Sequence, residues 1–162
     1  MEIRVIHFEL QKGNISKSCI IEEIVKMEKK IFPKHESLAS SFYEELRKKN
    51  CGLLYSPLTV NGKEEGVAGY VMYSWPSSLF ASITKIAVRE SCRRQGHGKA
   101  LIEAAIERCR RRKIKRVCLH VDPLRTPALS LYQKLGFKID KLIHSYYSLQ
   151  RDAYRMYLDF DD

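Results

Sequence analysis

The stretch Arg93-Arg94-Gln95-Gly96-His97-Gly98 stands between an apolar run at 83–88 and a run of helix-forming residues at 99–106, which predicts a loop from a β-strand into a helix. Because glycine lacks a Cβ, the two glycines allow a sharp turn and a close approach of the backbone to an anion. The first N–H groups of a helix have no partner within it, and the helix dipole adds positive potential there. Four side chains add further donors: Arg93, Arg94, His97 and Lys99. The stretch therefore predicts a site for a phosphate-bearing, nucleotide-type cofactor.

The spacing within this loop excludes two common phosphate loops. A P-loop needs four residues between its glycines and a Ser or Thr after its lysine, whereas one residue separates Gly96 from Gly98 and Ala100 follows Lys99. A dinucleotide-binding loop needs a third glycine near position 101, where Leu101 stands. The spacing that remains, Arg-x-x-Gly-x-Gly, resembles the pyrophosphate loop of the GNAT superfamily of acyl-CoA-dependent N-acetyltransferases. The resemblance implies acetyl-CoA as the cofactor, with its pyrophosphate on this loop, and it implies no metal.

A second stretch carries the same resemblance. The apolar run 117–121 predicts a strand, and Ala128 to Phe137 is similar to the family's Ala-x-x-x-Tyr-x-x-x-Gly-Phe signature. A structural role alone would also explain a glycine at position 136, because a helix often ends at a left-handed glycine. The resemblance implies that Tyr132 lies near the cofactor sulfur. The alternative for Tyr132 is an aromatic residue that covers the core.

Size and composition predict a single domain over residues 1–162. The chain is 44% hydrophobic, which is enough for one core, and it contains no apolar run of transmembrane length. We expect a soluble, intracellular protein, cytoplasmic and with the option of nuclear import. The five cysteines are scattered, odd in number and without a Cys-x-x-Cys pair, so they are expected to be reduced thiols without a metal. Cys118 lies in an apolar strand and is predicted to be a small buried side chain rather than a nucleophile.

The formal charge of +10 predicts partners that carry negative charge. Much of the excess lies in the segment 108–116, at the end of the helix that follows the phosphate loop. Part of it complements the helix dipole. The rest is available to ribosomal RNA, to an auxiliary subunit or to an import receptor. Because no aromatic residues are interleaved with it, sequence-specific recognition of nucleic acid is not expected.

Hydrophobic periodicity predicts the element order β-α-α-β-β-β-α-β-α-β-β. The first strand is expected within 1–10, and the last within 152–160. The other predicted boundaries are helices at 16–31 and about 38–49, and strands at 53–60, 66–74 and 79–88. Asn61-Gly62 indicates a hairpin, with a loop that we expect to exceed two residues. The family resemblance implies a GNAT fold of the mixed α/β class, with about four helices around a mostly antiparallel, twisted sheet of about seven strands.

The resemblance also implies roles in catalysis. Exposed backbone groups at Ile86, Ala87 and Val88 are expected to pair with the pantetheine arm, and an N–H there to polarise the thioester carbonyl. His120 shares a strand face with Cys118, and Leu119-His120-Val121 is similar to the strand that carries the catalytic histidine in protein N-terminal acetyltransferases. His120 is therefore the predicted general base. Tyr132 is protonated at neutral pH and is the predicted proton donor to the leaving sulfur.

Two outer segments indicate the acceptor. Phe32-Pro33 resembles the loop that lines the pocket for the first substrate side chain in protein Nα-acetyltransferases. Tyr146-Tyr147, followed by Asp152-Ala153 and Met156, is similar to the hairpin whose tyrosines bind the peptide backbone. We therefore predict acetylation of a protein N-terminus. Two alternatives stay open: acetylation of lysines or small amines, and an inactive ribosome- or RNA-binding module with this fold.

Three features depart from the family pattern. Ser82 stands where close relatives have a tyrosine, so a two-residue base relay is not implied. Arg125 replaces an expected asparagine and is a candidate contact for a CoA phosphate. The segment 34–37 lengthens the substrate loop, so a peptide preference does not carry over.

Overall fold

The computed structural model describes residues 3–9, 15–34 and 36–160, and within them it contains seven strands and four α-helices. The strands are β1 (Ile6–Phe8), β2 (Cys51–Val60), β3 (Lys63–Ser74), β4 (Phe80–Val88), β5 (Arg116–Val121), β6 (Lys138–Ser148) and β7 (Arg151–Asp159). The helices are α1 (Ile15–Ile31), α2 (Phe42–Arg47), α3 (His97–Arg111) and α4 (Thr126–Lys134), and a 3-10 turn spans Glu90–Cys92. The predicted order of strands and helices is confirmed.

The strands form one sheet in the order β1-β2-β3-β4-β5-β7-β6. β4 pairs with β5 in parallel, whereas β1–β2, β5–β7 and β6–β7 are antiparallel pairs. This confirms the predicted mixed sheet. The chain folds as two compact units. The first unit comprises the described residues up to Tyr73 together with Lys85–Ala105, and the second comprises Ser74–Thr84 and the described residues from Ile106 onward.

The first unit has a core built on one face of α1. Ile21, Ile24 and Met27 follow one another at three-residue spacing and are buried, which places them on one side of the helix. They belong to one cluster with apolar side chains of α2, β2 and β3: Phe42, Leu53, Tyr55, Val67, Tyr70 and Met72. The Phe42 ring meets the Tyr70 ring edge-on, with centroids 6.3 Å apart. The short helix α2 is thus held by packing rather than by its own length.

The hairpin between β2 and β3 corrects the predicted loop length. β2 ends at Val60 and β3 begins at Lys63, so the connection is the two-residue turn Asn61-Gly62, with φ values of 52° and 79°. Two positive φ angles are typical of the type I′ turn. Residues 59–65 are exposed on both strands. Because this end of the hairpin projects beyond the core, its sequence lacks the apolar alternation that marks a strand.

β1 spans the three residues Ile6–Phe8, within the predicted range 1–10; residues 1–2 and 10 lie outside the described residues. One other predicted boundary was wrong. α2 begins at Phe42 and not at Leu38, because local bonds compete with the helix. The hydroxyl of Ser37 accepts the N–H of Ala39 at 3.1 Å. The N–H of Leu38 donates to a side chain, that of Glu28.

The second unit shows how β5 and α4 obtain their orientation. Along β5, Val117, Leu119 and Val121 are buried and alternate with half-buried residues, so His120 lies on the opposite face, as predicted. α4 stops at Gly136, which has φ of 102°. The N–H of Gly136 donates to the carbonyl of Gln133 at 3.1 Å, and that of Phe137 to the carbonyl of Tyr132 at 3.0 Å. This is a Schellman motif, and it confirms the predicted glycine stop.

Candidate active site

The phosphate-loop candidate lies in the first unit and ends in α3, which begins at His97. Gly96 has φ of 94°, a conformation that favours glycine, and a Cβ there would meet the Ile3 side chain at 3.3 Å. The carbonyl of Gly96 accepts the N–H of Ala100 at 3.0 Å, which opens the helical ladder. The three preceding amides, at 97–99, therefore have no acceptor within the helix. These amides and the close backbone approach at Gly96 fit a bound diphosphate.

The expectation that both glycines make the turn is wrong for Gly98, which is already helical. The second left-handed residue is Arg94, with φ of 62°. A non-glycine residue in this region costs roughly 1–2 kcal/mol, and such strain concentrates at functional sites. Sequence spacing alone could not show it, because arginine carries no signal for a left-handed conformation.

The side chains of Arg93, Arg94, Gln95 and Lys99 are all exposed, and two of them also bond to nearby backbone. Lys99 lies 3.8 Å from the carboxylate of Glu103. The Nε of Arg93 donates to the carbonyl of Val88 at 3.2 Å, and the amide of Gln95 donates to the carbonyl of Ser91 at 3.4 Å. The first contact ties the loop to the end of β4, and the second ties it to the 3-10 turn that follows. The roles of the four residues toward the cofactor stay predictions.

His97, predicted as an additional donor, is tied to the neighbouring strand β2. Its Nδ1 lies 3.0 Å from the hydroxyl of Ser56, which is fully buried in β2. Burial lowers the pKa of His97 below its ordinary value, so the ring is neutral at physiological pH. A neutral imidazole is able to donate one hydrogen bond to an anion, but it adds no positive charge.

The end of β4 is fixed by a network that sequence patterns did not indicate. Ala87 is buried, and Ile86 and Val88 are half-buried. The N–H of Arg89 donates to the carbonyl of Ala68 at 2.7 Å, and its Nε donates to the carbonyl of Val67 at 3.0 Å. Its guanidinium also pairs with the carboxylate of Glu23 on α1. This anchoring holds in place the backbone segment that was predicted to bind the pantetheine arm.

The substrate-loop candidate follows α1 in the same unit. The ammonium of Lys85 lies 3.7 Å from the centroid of the Phe32 ring and donates to the carbonyl of Glu36 at 2.7 Å. The carbonyl of Pro33 accepts the N–H groups of Glu36 and Ser37, each at 2.9 Å. The inserted segment is therefore folded back on Pro33, although His35 lies outside the described residues.

The second unit brings the predicted base against the predicted peptide-binding tyrosines. The rings of His120 and Tyr146 are stacked, with centroids 4.3 Å apart and planes 9° from parallel. Tyr147 meets Tyr146 edge-on at 4.9 Å, and the guanidinium of Arg151 lies 5.0 Å from the Tyr147 ring centroid. The antiparallel pairs β5–β7 and β7–β6 create this cluster. The sequence placed these residues in one family pattern but could not show the stacking.

Electrostatics keep His120 neutral and the tyrosines protonated. Burial, and then the charge of Arg155 directly across the strand pair, lower the pKa of His120. Burial raises the pKa of Tyr132 to about 12 and that of Tyr147 to about 12. A neutral imidazole accepts a proton, and a protonated phenol donates one. The charge states therefore suit the two predicted catalytic roles.

Tyr132 and Arg125 occupy the two ends of α4. Tyr132 is 6% exposed, and its ring meets that of Phe137 at a centroid distance of 6.0 Å, so it also serves the core. Arg125 precedes the first helical residue and is exposed; its charge favours the ionised forms of Tyr132 and Tyr147 but is outweighed by their burial. The contact of Arg125 with a CoA phosphate stays a prediction.

Cys118 is half-buried, not fully buried as expected, because it shares the accessible face of β5 with His120. Burial raises the pKa of its thiol, which disfavours the nucleophilic thiolate. Its partner across the parallel pair is Ser82. Within residues 3–9, 15–34 and 36–160, no three His, Cys, Asp or Glu side chains are grouped closely enough to hold a metal ion. No helix in the described part of the chain is long and apolar enough to span a membrane.

Comparison with known proteins places the chain in a family. Residues 21–137 match the family model described as "Acetyltransferase (GNAT) family". The chain is 40% identical over 75 residues to an N-alpha-acetyltransferase of Sulfurisphaera tokodaii, a match that spans 46% of this chain and 45% of that protein. It is 30% identical over 148 residues to an N-alpha-acetyltransferase of Saccharolobus solfataricus, spanning 84% of this chain and 85% of that protein. The structure of Arabidopsis thaliana NAA60 in complex with acetyl-CoA superimposes with a TM-score of 0.80 at 19% identity, over 99% of this chain and 100% of that one.

These matches confirm the resemblance drawn from the loop at 93–98 and the helix end at 128–137. The family model extends over most of the first unit's described residues and into the second unit, and it includes both stretches. The solved structure agrees with the fold. The protein therefore belongs to the GNAT family of acetyltransferases.

Proposed function

We propose that this acetyltransferase transfers the acetyl group of acetyl-CoA to the α-amino group of a protein N-terminus. The observation that carries the proposal is the stack of His120 on Tyr146, with Tyr147 edge-on beside it. A neutral base thus lies directly against Tyr146, which in turn contacts Tyr147, and the hydroxyls of these two tyrosines suit the backbone of an extended peptide. The names of the Sulfurisphaera and Saccharolobus relatives support the same acceptor.

The ordinary pKa values of amines support an α-amine over lysine. A free α-amine has a pKa of about 8, whereas a lysine has one of about 10.4. The pKa of His120 lies below the ordinary histidine value, so His120 is a weak base. Such a base removes a proton from an α-ammonium more readily than from a lysine ammonium.

The cofactor assignment rests on the first unit. We assign the pyrophosphate to the amides at 97–99, the turn at Gly96 and the exposed cations Arg94 and Lys99. When bound, acetyl-CoA supplies an activated acetyl thioester. We assign the backbone at Ile86, Ala87 and Val88 to pairing with the extended, amide-containing arm, and an N–H there to the developing negative charge.

The proton transfers are assigned to the second unit. His120 accepts the proton of the substrate ammonium at its imidazole nitrogen, which leaves a neutral amine to attack directly in a ternary complex. Tyr132 would donate its phenolic proton to the thiolate as the C–S bond breaks, and the tyrosinate would regain a proton from the nitrogen that has formed the amide bond. Phe32 and Pro33 line the pocket for the first substrate side chain, and Tyr146 and Tyr147 hold the peptide backbone.

A peptide panel tests the acceptor. Short peptides that differ in their first residue, together with a peptide blocked at its α-amine but carrying an internal lysine, and a polyamine, are incubated with acetyl-CoA. We expect the acetyl group on the α-amine of a subset of the free peptides, located by fragment mass spectrometry. Acetylation confined to the internal lysine or the polyamine would contradict the proposal.

A second function is favoured by a set of ring contacts in the second unit. Three arginines of the basic segment 108–116 lie over aromatic rings that come from other elements: Arg110 over Phe160 at 5.0 Å, Arg112 over Trp75 at 4.0 Å and Arg116 over Tyr157 at 4.4 Å. The sequence shows no aromatics within the segment, but folding supplies them. Guanidinium groups held over aromatic rings, next to further cations, suit single-stranded RNA. We propose that this surface binds RNA alongside catalysis.

Salt-dependent binding to a single-stranded ribosomal RNA fragment tests this surface. The double variant Arg110→Ser/Arg112→Ser should bind at least several-fold more weakly than wild type, with a shallower dependence on salt, because two phosphate contacts are lost. The control is Lys29→Ser/Lys30→Ser, which removes two exposed charges from the end of α1. Equal losses in the two double variants would show that only net charge matters and would refute a specific surface.

A further inference from the structure

One charged side chain of the first unit is fully buried and is not among the residues assigned to the candidate active site. Glu28, near the end of α1, has 0% exposure. Its Oε1 accepts the hydroxyl of Tyr70 at 2.5 Å, and its Oε2 accepts the backbone N–H of Leu38 at 2.9 Å. Among the described residues, Glu28 is the only charged side chain that is buried.

This arrangement is costly in a core. A buried carboxylate loses its hydration, and the loss is offset only where hydrogen bonds replace it. Tyr70 remains a donor, because burial and the neighbouring Glu28 raise its pKa. Glu28 is surrounded in sequence by the apolar face of α1, where Ile21, Ile24 and Met27 are buried. A leucine at position 28 would bring no charge into the core, but it would leave the buried Tyr70 hydroxyl and the Leu38 N–H without their acceptor, so the carboxylate has a task that apolar packing does not perform.

The task is visible in what the residue holds. The backbone carbonyl of Glu28 accepts the N–H of Phe32 at 3.1 Å, and its carboxylate accepts the N–H of Leu38 at 2.9 Å. Residue 28 therefore binds both ends of the segment 32–38. Inside the segment, Lys85 links the Phe32 ring to the carbonyl of Glu36. A contact at each end and one across the middle determine where Phe32 and Pro33 lie.

We infer that Glu28 is a positioning residue for the acceptor pocket: its carboxylate holds the segment 32–38 so that Phe32 and Pro33 present a preformed pocket for the first residue of the peptide. The inference rests on the proposed function of that segment. It assigns Glu28 an effect on peptide recognition and none on acetyl-CoA, because the carboxylate bonds to Tyr70 and Leu38 and not to the phosphate loop or the end of β4.

Two variants of Glu28 separate positioning from folding. Glu28→Leu removes both acceptors, and the KM for peptide should rise roughly tenfold or more, as expected for a displaced binding group. Glu28→Gln keeps an acceptor but loses the charge, and charge-assisted hydrogen bonds are roughly twice as strong as neutral ones. Its peptide KM should rise several-fold, and its thermal stability should fall less than that of Glu28→Leu, because one acceptor oxygen remains. In both variants the KM for acetyl-CoA should stay within about twofold. The control is Glu22→Leu, at an exposed position of the same helix.

Hydrogen exchange at the Leu38 amide gives a readout that does not depend on activity. We expect exchange to be slowest in wild type, faster in Glu28→Gln and fastest in Glu28→Leu. If Glu28→Leu does not fold, the Gln variant decides: unchanged peptide KM and unchanged Leu38 exchange would overturn the inference. A rise in peptide KM matched by an equal rise in the KM for acetyl-CoA would also overturn it. Failure of the wild-type enzyme to acetylate any peptide α-amine would instead contradict the proposed function, and the exchange measurement would still test Glu28.

Discussion

Gly96→Glu is expected to abolish acetyl-CoA binding while the fold persists. The new carboxylate would stand where the loop presents its amides to a diphosphate, so it would both block the approach and repel the ligand. Two lost charge-assisted hydrogen bonds, at about 1.5–3 kcal/mol each, correspond to a loss of affinity of roughly 10²–10⁴-fold. The fold should tolerate the change at a cost of roughly 1–2 kcal/mol for a left-handed glutamate. Isothermal titration with acetyl-CoA measures the affinity, and circular dichroism with a thermal melt measures the fold.

The hairpin turn provides a matched control for this variant. Gly62 also has a positive φ, 79°, and no atom lies within 4 Å of a Cβ built there. Gly62→Glu therefore introduces the same side chain with the same backbone strain, but in the turn Asn61-Gly62. It should leave the affinity for acetyl-CoA unchanged. Equal affinity of Gly96→Glu and Gly62→Glu would remove the phosphate-loop assignment and the cofactor roles that depend on it.

The elements that the sequence predicted well are those with local causes. A left-handed glycine predicted the helix stop at Gly136, and the alternation along β5 predicted the outward face of His120. The spacing of apolar residues predicted the order of strands and helices. The phosphate loop was predicted because its glycine and cations are contiguous. The predicted strand ends were wrong where the apolar alternation stops at the edge of the core, as in the exposed end of the β2–β3 hairpin.

The features that the sequence could not show depend on residues far apart in the chain. Glu28 meets Tyr70 across 42 positions, and Arg89 meets Glu23 across 66. No pattern marks a glutamate on α1 as buried, since charged residues at helix ends are ordinarily exposed. The stack of His120 on Tyr146 depends on the register of β6 against β7, which shifts between Ile143 and Ser148. A one-residue change in that register would turn the tyrosine to the other face.

His120→Gln is expected to lower kcat by about 10²–10⁴-fold, the usual contribution of a general base. Acetyl-CoA affinity should be unchanged, because the substitution lies in β5 of the second unit and leaves the phosphate loop intact. The variant Tyr146→Phe keeps the stacked ring and loses only a hydroxyl, so it should raise the KM for peptide more than it lowers kcat. Steady-state kinetics with the preferred peptide of the panel measures both. If the kcat of His120→Gln stayed within about threefold of the wild-type value, as for an ordinary substitution, the assignment of His120 as the base would be refuted.

The pH dependence of the wild type gives an independent test of the same base. Because burial and Arg155 lower the pKa of His120 in the free protein, the imidazole stays neutral to a lower pH than an ordinary histidine, and the acidic limb of kcat/KM should lie below pH 6.5. Arg155→Gln removes the larger of the two positive charges that disfavour the imidazolium, Arg155 and Lys141, so the limb should move upward toward 6.5. The same shift links pH to stability: the lowered pKa contributes stability above pH 6.5, and that contribution is lost as the pH falls through the pKa of the folded protein.

The neighbouring thiol of Cys118 provides a control. It shows whether a loss of kcat is specific to His120 or follows from any substitution on this face of β5. Cys118 lies two residues before His120 on the same face of β5 and has a raised pKa. Cys118→Ala should leave kcat and the acidic limb essentially unchanged, because an un-ionised thiol neither accepts the proton nor attacks the thioester. If Cys118→Ala lowered kcat as strongly as His120→Gln, the loss would not be specific to His120. Either any substitution on this face of β5 lowers kcat, or the Cys118 thiol itself takes part in the reaction. An unchanged kcat in Cys118→Ala and a collapsed kcat in His120→Gln would leave the imidazole as the base.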